Sequence, residues 1–228
     1  MLSGQINISI AAGINKILRF LCIFFLMSSV HPEIFSQWVI IALILQYSIF
    51  LQAGSPFALH REASIALGEE DDKKIQAIIS SSLRNYFFSL FALFFLLIFF
   101  NYDYLLFYTF LYITLINIGN LLLLQARALF EDRKAMLALY ADSLIIIILT
   151  LVLVNEYSIK GLLISFSAGS LAYIVFCRPN RETMLRSILL SKSELKESFR
   201  LIKYGIPLLV YNLLLTLKDT WDILFVSN

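Results

Sequence analysis

The sequence predicts an all-α fold, a polytopic bundle of transmembrane helices with a six-helix lobe, a seventh helix and a cytoplasmic N-terminus. Three observations predict it. Residues 105–125 hold no charged side chain over 21 positions, about the length that crosses a hydrocarbon core of roughly 30 Å at 1.5 Å per residue. At least four other stretches are nearly as apolar. The chain as a whole is 60% hydrophobic and 15% charged, with a mean hydropathy of +0.82, whereas soluble domains carry about 25% charge. A transmembrane barrel fits poorly, because barrel strands alternate over about 10 residues and these runs do not alternate.

Seven spans account for the apolar runs. They cover residues 8–29, 34–53 (ended by Gly54-Ser55-Pro56), 76–100, 105–125, 135–154, 159–177 and 201–226. The joining segments sort by charge. Residues 30–33 and 101–104 contain no Lys or Arg, and 155–160 contains Lys160 alone. The segment 54–75 holds Arg61, Lys73 and Lys74, and 126–134 holds Arg127, Arg133 and Lys134. The segment 178–203 holds Arg178, Arg181, Arg186, Lys192, Lys196, Arg200 and Lys203. Basic loops stay in the cytoplasm. This puts the N-terminus inside, reads 54–75 as a cytoplasmic loop and, with seven spans, places Asn228 outside. Residues 181–200 alternate an apolar helical face with basic positions and predict an amphipathic connector lying on the cytoplasmic leaflet, with Ser191-x-x-Glu194 as a capping box. The domains expected are therefore 1–177, 178–200 and 201–228.

Function is sought in what interrupts the apolar runs. A Lys, Arg or Asp at the centre of a lipid-facing helix costs roughly 2.5–3.5 kcal/mol, so such residues face an interior, pair, or reach the headgroups. Lys16 and Arg19 are three apart and share a helical face, with Asn15 beside them. Arg84 lies about two turns into the third span and Lys218 deep in the seventh. If these four cations line one chamber, they suit an anionic diphosphate. The acids are Asp142, Asp219 and Asp222. Lys218 and Asp222 can pair at a spacing of four, and Asp142 is a candidate coupling or counter-ion site.

Other features read as structure. Cys22 and Cys177 lie in or near apolar runs and read as small buried groups. Glu69-Glu70-Asp71-Asp72, followed by Lys73-Lys74, reads as a solvated loop. Residues 1–30 lack a small-residue cleavage site after their apolar core and do not read as a cleaved signal peptide. Gly161, Gly169, Ser165 and Ser170 read as helix-packing residues. No Gly-rich phosphate loop, serine elbow or zinc-binding His-Glu-x-x-His occurs, so no cofactor, metal or catalytic residue is expected. The net charge of +2 gives no field for nucleic acid.

Six spans, a basic connector and Lys203-Tyr204-Gly205-Ile206-Pro207 opening the next span resemble the polysaccharide flippases of bacterial envelope synthesis, within the multidrug/oligosaccharidyl-lipid/polysaccharide exporter superfamily. Gln37-Trp38, Gly54 followed by Arg61 and Gly68, and Asp222 add to the resemblance. Ala53 and Ile223 stand where relatives often carry an acid and a base. The resemblance implies an inner-membrane, multi-pass protein, in this chain one lobe plus one helix, moving a polyprenyl-diphosphate-linked O-antigen or capsule repeat unit by alternating access. Its implied partners are that anionic lipid-linked oligosaccharide, membrane lipids and the polysaccharide polymerase or chain-length machinery. A multidrug or small-solute antiporter of the same superfamily is the alternative; its chamber should be acidic and aromatic. A membrane-embedded enzyme would need paired acids or histidines facing one leaflet, and none are found.

Overall fold

The computed structural model describes residues 2–52, 54–99, 104–179, 187 and 192–226. Among these the fold is all-helical and contains no strand. Seven helices follow one another: α1 (Leu2–Ser29), α2 (Pro32–Ser48), α3 (Ser55–Gly68), α4 (Asp72–Phe99), α5 (Tyr104–Ala128), α6 (Asp132–Phe176) and α7 (Lys192–Val226). A short 3-10 turn, Ile49–Gln52, continues α2. Four of the described helices hold a stretch long and apolar enough to cross a membrane: Ile6–Ser29, Leu105–Ala128, Asp132–Phe176 and Leu195–Lys218. Phe35–Ser48 is a shorter apolar helix. The chain is an α-helical membrane protein.

At 45 residues, a straight α6 would run about 68 Å at 1.5 Å per residue, twice the hydrocarbon thickness. It does not run straight. Ser158 adopts φ 52, ψ −125 and breaks the helix. The arms 132–157 and 159–176 fold back on each other as the fifth and sixth spans expected from sequence. Gly169 makes that approach possible, since a Cβ there would stand 2.5 Å from Ile146 Cγ1 and 2.6 Å from Asp142 Oδ1. Gly161 does the same beside the break, where a Cβ would meet the Leu153 carbonyl oxygen at 2.4 Å.

One expectation is corrected. The segment 54–75 is not a loop, because Ser55–Gly68 forms α3. Pro56 sits in its first turn, where a missing N–H costs nothing. Ala58, Leu59, Ala63 and Ala66 form its buried side while His60 and Arg61 stay exposed. Gly54, at φ 77, turns the chain from the 3-10 segment into this helix. The last helix, α7, begins at Lys192 and runs on through Leu201, continuous across residue 200. The rest of the expected connector, including Ser191 of the capping box, lies largely outside the described residues.

α3 joins α4, and α5 joins α6, by the same turn. Asp71 N–H donates to the Ala66 carbonyl and Glu70 N–H to that of Leu67. Sixty residues later, Glu131 N–H donates to Ala126 and Phe130 N–H to Arg127. Both are the paired caps that end a helix through a left-handed residue, here Glu70 and Phe130, each at φ 55. Each turn is followed by a Lys that bonds a turn carboxylate, Lys74 to Glu69 and Lys134 to Glu131. Ala66, Ile75, Ala126 and Ala135 share one apolar core, so both turns stand at the same end of the bundle.

α7 docks on this end. Arg84 Nη1 donates to Ser198 Oγ at 2.9 Å, Asn85 Nδ2 donates to the Ser198 carbonyl, and Arg200 lies 3.6 Å from Glu62. Farther along, α7 crosses the α2–α3 break with the backbones of Gly205 and Gly54 in close approach. A Cβ on Gly205 would lie 2.1 Å from the Gly54 carbonyl oxygen, and one on Gly54 would lie 2.5 Å from that of Gly205.

These geometries predict opposite outcomes for two kinds of glycine change. Glu70→Gly or Phe130→Gly relieves a left-handed side chain and should stabilise by roughly 0.5–1 kcal/mol. Gly205→Ala should destabilise by about 1–3 kcal/mol by overpacking the crossing. Thermal unfolding in detergent reads both, and an unchanged melting point for Gly205→Ala would contradict the contact.

Candidate functional site

α1 buries a narrow stripe, Ile8, Ala11, Asn15, Cys22 and Leu26, at three-, four- and seven-residue intervals. Arg19 falls on that stripe, one turn after Asn15. The surface it meets is the α6 hairpin, with Asp142 fully buried ten residues into the first arm, about 15 Å from the start of the helix. One terminal nitrogen of Arg19 lies 2.9 Å from both carboxylate oxygens of Asp142. Arg19 Nε donates to Asn15 Oδ1 at 3.2 Å. Asn15 Nδ2 in turn donates to Asp142 Oδ2 at 2.6 Å and contacts Ser143 Oγ at 2.8 Å and the Leu139 carbonyl at 3.3 Å. From the second arm, Tyr173 donates its hydroxyl to Asp142 at 3.0 Å.

Aromatic rings close the remaining sides. The Arg19 guanidinium carbon lies 5.1 Å from the centroid of Phe166, within the range of a cation–π contact. Tyr112 of α5 lies against Phe166 at 5.7 Å, and Trp38 of α2 meets the same ring edge-on at 5.8 Å. The pair thus gathers groups from α1, both arms of α6, α5 and α2. It sits where the apolar core around Leu139 and Tyr173 gives way to that around Ile146 and Phe166. The Arg19 side chain retains 17% of its exposure and that of Asp142 none. One turn beyond Arg19, an apolar gap of about 170 Å³ opens between α1 and the first arm, lined by Leu18, Leu21, Cys22, Phe25, Ile147, Thr150 and Leu151.

The structure brings together three of the expected site residues, Asn15, Arg19 and Asp142, and it does not bring the four cations into one chamber. Lys16 is exposed. On a helix it lies about 100° from Asn15, so the shared face inferred from the three-residue spacing is not the buried one. Arg84 is 2% exposed and belongs to the α7 docking contact. Lys218 is exposed on α7. Asp219 and Asp222 fall on the last turns of α7, and their side chains lie outside the described residues. Sequence reading missed Ser143, Phe166, Tyr173 and Tyr112 as members of the site. The available signal was the face 166–169–173, where an aromatic, a glycine and a tyrosine recur at helical spacing opposite Asp142. Among the described residues no group of three or more His, Cys, Asp or Glu side chains is placed to hold a metal.

This is a satisfied ion pair inside a membrane-spanning bundle. No protein-family model, curated protein or solved structure matches the chain.

A paired, buried charge has a signature in mutational energetics. Arg19→Ala or Asp142→Asn alone should cost about 3–5 kcal/mol by leaving the partner unpaired, and the double substitution should cost less than the two summed. A thermal-unfolding double-mutant cycle measures this, and additive effects would contradict the pairing.

Proposed function

We propose that the chain is the six-helix unit and following helix of a bacterial inner-membrane exporter, which moves an anionic lipid-linked oligosaccharide by alternating access. The observation that carries this reading is Lys16. It lies near the middle of α1, about 20 Å from either end at 1.5 Å per residue. It is exposed on the open side of α1, where among the described residues no carboxylate forms an ion pair with it. A charge so placed requires a polar neighbour rather than acyl chains. A watery passage along this face, with Lys16 attracting the diphosphate of the cargo, meets that requirement. The resemblance to polysaccharide flippases supports the same cargo class. Arg19 is excluded from direct cargo contact while Asp142 holds it, so its role in this proposal is to position α1. Arg84 positions α7, and Lys218 offers a second exposed cation.

The alternative of a cationic-solute antiporter draws support from the aromatic and carboxylate surroundings of Asp142. Arg19 fills those surroundings and neutralises them, which leaves Lys16 as an exposed cation without an ion pair among the described residues and favours an anion.

Charge reversal at Lys16 separates these readings. Lys16→Glu should abolish export of the lipid-linked glycan, while Lys16→Arg retains it and protease protection shows normal insertion of both. Wild-type export by Lys16→Glu would overturn the proposal.

A further inference from the structure

The surroundings of Asp142 have the form of a receptor, and Arg19 has the form of its ligand. The carboxylate is fully buried and is held from two sides, by Tyr173 of the α6 hairpin and by Asn15 of α1. Tyr173 donates to it at 3.0 Å from the second arm of α6, and Asn15 donates to it at 2.6 Å while also contacting Ser143 and the Leu139 carbonyl. Gly169 lets the two arms close around it. What remains is a slot shaped for a flat cation. One rim offers the two Asp142 oxygens, another offers Asn15 Oδ1, and the face of Phe166 covers one side at 5.1 Å. A guanidinium presents in-plane N–H donors to such rims and its flat side to a ring. Tetramethylammonium and a bare sodium ion have neither an N–H donor nor a flat face.

We propose that the Asp142 slot, completed by Asn15 of α1, is a receptor for a single guanidinium group, and that Arg19 is its built-in occupant. The inference stands apart from the cargo assigned above, since it concerns a slot that Lys16 does not enter. The partial exposure of the Arg19 side chain marks the side from which a free cation would enter once the tethered one is removed.

The test removes the tether and supplies the ligand. Arg19→Ala, purified as the full chain in detergent, is melted with guanidinium chloride up to about 50 mM, well below the molar range in which it denatures. A saturable rise in melting temperature of about 4 °C or more is expected, by mass action on the folded state. Sodium and tetramethylammonium chlorides at equal concentration should give no rise, nor should guanidinium with the wild type or with Arg19→Ala/Asp142→Asn. No guanidinium-specific rise, or an equal rise in the double variant, would overturn the proposal. If Arg19→Ala does not survive purification, it is synthesised cell-free into liposomes. Guanidinium should then raise the protease-resistant fraction of Arg19→Ala but not of the double variant, and no difference between them would overturn the proposal equally.

Discussion

The contact between Arg19 and Asp142 is the interaction on which the arrangement of this bundle depends. In a bilayer, apolar side chains gain little by leaving lipid for one another, so helices are held by close packing and polar contacts. α1 illustrates the difficulty. Its buried stripe is narrow, and Ile10, Ile14, Ile17, Phe20 and Phe24 remain exposed. Such a helix has no strong preference for one rotation or depth against its neighbour. A carboxylate that must be neutralised, a guanidinium that must be paired and an asparagine that joins them supply that preference. The cost of burying either charge alone specifies a single register.

Backbone devices make room for this contact. The Ser158 break turns one apolar helix into a hairpin, and Gly169 lets the arms approach until Asp142 and Tyr173 meet. Gly54 and Gly205 let α7 cross at backbone distance, where any side chain would push it away. The repeated turn, with Glu70 and Phe130 in the left-handed conformation, sets the two helix pairs α3–α4 and α5–α6 at one end. Polar side chains then tie the elements to one another: Asn117 to Ser48 across α5 and α2, Tyr86 to the Thr114 carbonyl across α4 and α5, and Arg84 to Ser198 across α4 and α7.

The membrane class was legible in the sequence because charge is excluded from long runs, and that exclusion is a property of composition. The break within the 45 residues of α6 was legible too, since Asn155, Glu156 and Lys160 interrupt the apolar pattern. α3 was not, because fourteen residues carrying His60, Arg61 and Glu62 look like a loop until the packing partners of Ala58, Ala63 and Ala66 are known. The intramembrane ions are legible individually, while the partners of Arg19 and Arg84, Asp142 and Ser198, are not. Spacing along one helix fixes which residues share a face, but it cannot say which face meets a neighbour. Asn15, Arg19 and Cys22 continue the buried stripe while Lys16 leaves it, and only the position of the α6 hairpin reveals that. Asp142 was recognised as an acid in the membrane, but its partner stands 123 residues away in sequence.

The central claim is that this pair exists inside the bilayer as a direct contact. Solid-state NMR on the protein in liposomes, with nitrogen-15 in the arginine guanidinium groups and carbon-13 in the aspartate carboxyl carbons, tests it most directly. A 2.9 Å nitrogen–oxygen separation predicts strong nitrogen–carbon dephasing at the Arg19 signal that disappears in Asp142→Asn. An Arg19 signal without dephasing in the wild type, exchanging freely with water, would contradict the account.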